Sequence, residues 1–452
     1  MAVEFISIDR DIPLLLPPCI QDYLPERHLA RFVVEIVEQL DLHALVEAYR
    51  GTGSPPYPPA LLVALLFYGY ATGLYSSRKL AQATYDSIAC RFICANTHPD
   101  HRTIADFRKR FLPELAELFV AILRWAQAMG LLKLGTVSLD GTKIKANASK
   151  HQALSWAYAN RLEEQLQGEV SALLQRAAAG EAAAQAEPID IPEELARREQ
   201  RLAVIAQAKA ELAARAQVRF EHEQAEYERK LAAREAATQA RGKPPRGKAP
   251  APPTPGPRAK DPVNLTDAES RLMPTSGGGF EQAYNAQASV DVDTFLIVGE
   301  HVTQHTNDKL EIAPAIERLQ ALPASLGQVK VLLADTGYHS AANLDRCDAA
   351  SIEPLMPASR QTHNPPLAER FAADPAPPTA PTLVQAVQHR LGTRAGKALY
   401  AKRKATVEPV FGIVQHVLGF RQFLLRGLQA VQGEWTLVCL GWNLKRLFAL
   451  NS

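Results

Sequence analysis

The sequence predicts an α+β multidomain protein: a helical N-terminal domain, then an α/β domain interrupted after its first strand by a long helical insert. Three observations carry this. Apolar residues in the first 130 positions recur at three- and four-residue steps, as in helices that bury one face. From residue 136 the period drops to two, and strand patterns then alternate with helical ones, the signature of a layered α/β fold. Between the first and second strands lies a stretch rich in Ala, Glu, Arg and Gln whose leucines keep helical spacing. With 452 residues, 47% of them hydrophobic, the chain can fill more than one core, which excludes a disordered or fibrous protein.

Residues 61–75 are apolar enough for a buried helix, and 76–93 read as one further helix started by the Ser76–Ser77 pair. Over 113–129, Leu115, Leu118, Phe119, Ile122, Trp125 and Ala126 trace one helical face, and Gly130 stops it. The apolar run 60–75 is shorter than the ~20 residues a membrane span needs. The opening residues include Glu4, Asp9, Arg10 and Asp11, unlike a signal peptide. Five cysteines do not suggest a disulfide framework and suit a reducing compartment. The expectation is a cytoplasmic protein.

Residues 136–146 alternate apolar and polar around Asp140-Gly141 and read as the first strand. Residues 152–240, with Leu195, Leu202, Ile205 and Leu212 at roughly helical spacing, read as one or two long helices, a spacer or dimer contact. Residues 241–262 hold eight prolines and six Lys/Arg, the composition of an exposed, semi-rigid linker. Strands are expected at 279–293, 294–305, 329–334 and 351–357, and helices at 308–322, 340–350 and 401–420, with a Pro-rich loop at 365–381. The division is therefore a helical domain (1–130), the first part of the α/β domain (131–150), insert (151–240), linker (241–262) and the rest of the α/β domain with basic C-terminal helices (263–452).

Charge is informative once divided. Residues 1–130 carry 12 Lys/Arg against 14 Asp/Glu, whereas 385–452 carry 10 Lys/Arg against Glu408 and Glu434 alone. A basic block of that kind is the electrostatic footprint of a nucleic-acid partner, although a solvated helical face has the same composition. Three acids stand out within the α/β pattern: Asp140 in the first strand, Asp335 closing the strand that contains Val331, Leu332 and Leu333, and Glu408 in a helix of the basic region. Strand-end carboxylates project where ligands bind in α/β sheets. Brought together, three would repel one another unless a divalent cation with hard oxygen ligands, such as Mg²⁺, neutralised them.

The stretches Gly73–Leu80, Pro99–Arg108, Leu139–Lys150, Asn264–Asp267, Tyr284–Gln287, Ala334–Ser340, Val407–Gly412 and Arg426–Leu428 together resemble the DDE transposases of bacterial insertion sequences. The similar branch has a helical N-terminal domain and a long helical insert between the first two acids. The resemblance implies a ribonuclease-H-like catalytic domain and makes Asp140, Asp335 and Glu408 the catalytic, metal-binding triad, with Mg²⁺ or Mn²⁺ in its place. It implies cleavage at terminal inverted repeats and joining of 3′ ends to target DNA, with double-stranded DNA as partner and a homodimer holding two ends. Tyr400, Arg403 and Glu408 fall near a Tyr-Arg-Glu-Lys signature of related transposases, but Gln415 stands where the lysine belongs; Arg421 or Arg426 is its candidate substitute. DNA contacts are further expected from Lys143 and Lys145 beside Asp140, from Lys404, and from Arg78, Lys79, Arg102 and Arg108 in an N-terminal segment with seven Lys/Arg against three Asp. Cys90, Cys94, His98 and His101 have a compact spacing that could hold zinc, but two cysteines on one helix read better as buried side chains. Asp291, Asp293 and Asp308 flank the second strand pair as candidate extra ligands, but read better as turn or cap residues.

Overall fold

The computed structural model describes residues 19–49, 56–149, 152–178, 190–243, 245, 247–275, 278–359 and 373–451. The acidic N-terminal residues, Lys150 and positions 365–372 of the Pro-rich loop lie outside them. Among the described residues seven α-helices come first: α1 (Leu29–Glu38), α2 (His43–Glu47), α3 (Pro59–Thr72), α4 (Ser77–Asp86), α5 (Ile88–Ile93), α6 (His101–Arg110) and α7 (Leu112–Ala128). Helix α3 is buried from Leu62 to Ala71, which explains a run of apolar residues without a polar face. Pro59 starts it. Gly73, at φ +85°, ends it against the Leu418 carbonyl, where a side chain would come within 2.6 Å. Among the described residues no single helix is long and apolar enough to cross a membrane.

The single helix expected over 76–93 is two. Ser87 takes an extended backbone and its hydroxyl accepts the Cys90 N–H at 3.4 Å, so it caps α5 rather than continuing α4. A serine that bonds its own neighbouring backbone competes with the helical ladder, and here it wins.

Eight strands follow among the described residues: β1 (Leu134–Lys145), β2 (Ala153–Ser155), β3 (Pro262–Asn264), β4 (Arg271–Pro274), β5 (Phe280–Asp291), β6 (Ile297–Thr303), β7 (Gly327–Leu333) and β8 (Glu353–Leu355). Six form a mixed sheet in the order β4-β5-β1-β7-β8, with β6 also on β5. β4, β6 and β1 run antiparallel to β5, while β7 is parallel to β1 and β8 to β7. Helices α10 (Ile312–Gln320) and α11 (Ala341–Ala349) connect β6 to β7 and β7 to β8. The order of three strands, helix, strand, helix, strand, helix is the one the sequence predicts, with β2, β3 and β4 added.

Between β2 and β3 rise α8 (Trp156–Ala178) and the 51-residue α9 (Ile191–Arg241), about 76 Å long at 1.5 Å per residue. They run antiparallel, as the ion pairs Glu169–Arg198 and Glu163–Lys209 require. Leu154, Leu166, Ile205, Leu212 and Val263 give this hairpin a small core of its own. The chain ends with α12 (Leu383–Gly392), α13 (Arg394–Gly412), a π turn over Ile413–Val417 and α14 (Leu428–Leu450). Helix α14 packs on α3, α7 and β6, so the N-terminal helices and the sheet share one hydrophobic core. It also closes the free edge of β6: the Asn443 amide accepts the Ile297 N–H and donates to its carbonyl, both at 2.8 Å, and Gln432 accepts the Val302 N–H at 2.7 Å. An open strand edge would invite pairing with another chain.

Candidate active site

Strand register brings two of the three acids together. β1 and β7 are parallel with Ser138 opposite Leu333, so Asp140 and Asp335 each stand two residues further on, side by side where β7 ends. Asp335 leaves the strand and caps the 3₁₀ turn Thr336–Tyr338, its Oδ1 accepting the Gly337 N–H at 2.7 Å. Asp140 stays in the strand opposite Ala288. Asp-Gly is commonly a turn dipeptide, but here Gly141 has a packing reason: a Cβ would lie 2.1 Å from Gln287 Nε2 and 2.8 Å from Asp308 Oδ1.

Helix α13 crosses this sheet edge and brings the third acid. Arg403, buried at 6% exposure, donates from Nη1 to Asp140 Oδ2 and from Nη2 to Glu408 Oε1, each at 3.1 Å. Burial pushes the Asp140 carboxyl up to about 7; Arg403 and the Gly141 N–H oppose that rise, while Asp335 and Asp308 add to it. The Tyr400 hydroxyl is also raised by burial and faces the same charges. Gln415, on the π turn, donates to Thr142 Oγ1 at 2.5 Å and so pins the end of α13 to β1 two residues beyond Asp140.

The donors are hard oxygens around a buried carboxylate that burial and its acidic neighbours disfavour as an anion, which is the chemistry of a divalent-cation site. Among the described residues no three acid, imidazole or thiol groups are gathered closely enough to hold an ion; the cation between Asp140 and Glu408 is Arg403.

Two family models match the chain. A Transposase domain (DUF772) covers residues 18–110, and a Transposase DDE domain covers 377–448, the part that contains α13 and Glu408. The two matches support a DDE transposase of insertion sequences. No curated protein and no solved structure matches it. Transposases act on DNA, so these matches support a DNA partner.

Behind these acids lies a layer that the sequence patterns do not reveal. Asp308 does not cap its 3₁₀ turn; Asn307 does, by accepting the Lys309 N–H. Asp308 Oδ1 instead accepts from Asn285 Nδ2 at 2.7 Å and Gln287 Nε2 at 2.9 Å, and lies 3.6 Å from Lys143 Nζ. Gln287 in turn accepts from the buried Tyr338 hydroxyl at 2.5 Å, tying the Asp335 turn to β5. Asn285 and Gln287 are amides within a strand otherwise buried against apolar neighbours, and that is the one signal of this layer in the sequence.

Other resemblance motifs meet in a second network. Asp267 accepts the Tyr284 hydroxyl at 3.0 Å and the Gly427 N–H at 3.4 Å; Asn264 donates to Ser149 O at 2.8 Å; Arg426 donates to Asn147 O at 2.9 Å. The stretches around residues 147, 264, 284 and 427 thus brace the end of β1 against the segment before α14.

The expected DNA-contacting residues divide by exposure. Arg78, Lys79, Arg102, Lys145, Lys404, Arg421 and Arg426 are exposed, and Lys143 and Tyr400 are half-buried. Arg403 is turned inward onto the acids. Arg108 is a correction: it is 6% exposed and donates to the Tyr70 hydroxyl at 3.1 Å and the Tyr75 carbonyl at 3.0 Å, so its guanidinium serves the core and not DNA. Arg421 donates to the Gln415 carbonyl at 3.1 Å, which places its charge beside the residue that replaces the signature lysine. Of the residues weighed for zinc, Cys90 and Cys94 are buried, and His98 stacks on Tyr85 at 3.9 Å.

Proposed function

We propose that this transposase cuts DNA at the terminal inverted repeats of an insertion sequence and joins the freed 3′ ends to target DNA, with Asp140, Asp335 and Glu408 as its catalytic carboxylates. The observation that carries the reading is the β1–β7 register, which sets Asp140 beside Asp335, together with the Arg403 bridge from Asp140 to Glu408. Those three carboxylates are the groups that would hold Mg²⁺, or Mn²⁺ in its place. Bound there, a divalent ion supplies activation of the attacking oxygen and stabilisation of the departing one at phosphorus. Water attacks first and the 3′ hydroxyl second, both in line. Arg403 keeps Asp140 and Glu408 aligned, and the Asn285–Gln287–Asp308 amide network fixes Lys143 beside Asp308, where an ammonium can meet a phosphate oxygen.

The remaining assignments follow the same reading. Residues 1–130 bind the repeats with Arg78, Lys79 and Arg102 on the exposed surface. Residues 131–150 and 263–452 form a ribonuclease-H-like catalytic domain, supported by the five-strand core β6-β5-β1-β7-β8. Residues 151–240 and 241–262 are its insert and linker, Lys145, Tyr400, Lys404, Arg421 and Arg426 follow the DNA near the acids, and a homodimer in the cytoplasm holds two ends. The test is strand transfer: purified protein, Mg²⁺, a pre-cut duplex of the element's own end and a plasmid target. Joined products are expected; cleavage of an uncut end without any joining would reduce the protein to a nuclease.

A further inference from the structure

We propose that the Pro-rich segment returning along α9 is a second double-stranded-DNA contact, a track of cations on the phosphate backbone beyond the end held at the acids. It rests on the transposase reading and extends it to the insert.

The charge is distributed unevenly on the arm. From 219 to 241, α9 balances five Lys/Arg with five Glu, whereas 242–260 contains Lys243, Arg246, Lys248, Arg258 and Lys260 and no acid. This segment has no large apolar side chain, only Gly, Pro, Ala, Thr, Lys and Arg, so it has nothing to bury in a protein partner or a membrane. It is held rather than free. Arg234 donates to the Pro245 carbonyl at 3.0 Å and the Gly247 carbonyl at 2.9 Å; Arg219 donates to the Gly256 carbonyl at 2.9 Å and pairs with Asp261 at 2.8 Å; Arg258 pairs with Glu223 at 2.8 Å. The tethering is done mainly by arginines of α9 on backbone carbonyls, which leaves the side chains of Lys243, Lys248 and Lys260 exposed. Prolines favour an extended backbone that is already ordered before binding.

Scale and position agree with a duplex. The tethers on α9 run from Arg219 to Arg234, about 22 Å along the helix, roughly two thirds of one turn of B-DNA. The arm's root is the β2–β3 pair, where Asn264 bonds Ser149, two residues past the Asn147 that Arg426 holds. The track therefore begins where the exposed Lys145, Arg421 and Arg426 end.

The test compares full-length wild type with the triple variant Lys243→Glu, Lys248→Glu, Lys260→Glu on two duplexes: a short one ending at the inverted repeat, and one extended inward by about three helical turns. Removing one lysine–phosphate pairing lowers the salt dependence of binding by about one in the log–log slope. The variant should bind the long duplex at least tenfold more weakly, with a slope lower by about three, and bind the short duplex as wild type does. The triple Lys→Arg variant should behave as wild type, which separates charge from fold. Wild-type affinity and slope of the Glu variant on the long duplex would overturn the proposal, and so would equal losses on both duplexes. Failure of wild type to bind even the short duplex would overturn the transposase reading itself, and this proposal with it.

Discussion

Arg403 is the residue on which the electrostatics of the site turns. It supplies the nearest positive charge to a carboxyl already raised to about 7 by burial, so its removal must raise Asp140 further. If ionised Asp140 is needed, Arg403→Gln should move the acid limb of the cleavage rate upward by about a unit or more, as a pH–rate profile would show; an unmoved limb would detach Asp140 from the rate. The local places of Asp140 within a strand, Asp335 just past one and Glu408 within a helix were legible from the strand and helix patterns, whereas their joint role came from the resemblance alone. Asp308 was not legible, since an Asp before a helix looks the same whether it caps the helix or faces a sheet. Arg108 was misread for a related reason: charge counts ignore facing. In α6 it lies on the buried face with Ile104 and Phe107.

At the scale of elements, the alternation around Asp140 and the buried run Val331-Leu332-Leu333 made β1 and β7 readable, and Leu195, Leu202, Ile205 and Leu212 announced α9. The α4–α5 break was hidden because Ser87 is an ordinary helix-surface residue until its hydroxyl caps. The Pro-rich segment reads as an exposed, semi-rigid linker, and its fastening to α9 was not legible because the tethers are backbone carbonyls, which composition cannot show. The α8–α9 hairpin has its own small core, so Leu212→Ala should loosen it by about 2–5 kcal/mol. Hydrogen exchange should then accelerate in α8 and the facing part of α9 while the sheet stays protected; uniform acceleration would mean that hairpin and sheet unfold together.

For the whole molecule, the shared core was the least legible feature, since the patterns of α3 and α14 say that each is buried but not that each buries the other. Gly441 shows the closeness: a Cβ there would lie 2.8 Å from Tyr70. Glu300, on β6 against α14, is 8% exposed, and burial pushes its carboxyl up to about 7, while Thr436 and Gln432 oppose the shift. Protonation therefore favours the folded state, and stability is lost as pH rises from about 4.5 through about 7, a difference of about 3 kcal/mol. Glu300→Gln keeps the neutral form at every pH and should raise the melting temperature at pH 8 but not at pH 4; equal effects at both would contradict the burial argument.

The most direct measurement is Mg²⁺-dependent cleavage of the element's end by Asp140→Asn, Asp335→Asn and Glu408→Gln, each compared with wild type and each assayed for end binding by gel shift. Because all three groups serve one reaction, every variant should lose cleavage by about a thousandfold or more while shifting the DNA nearly as wild type does. Wild-type cleavage by any one of them would contradict the three-acid site.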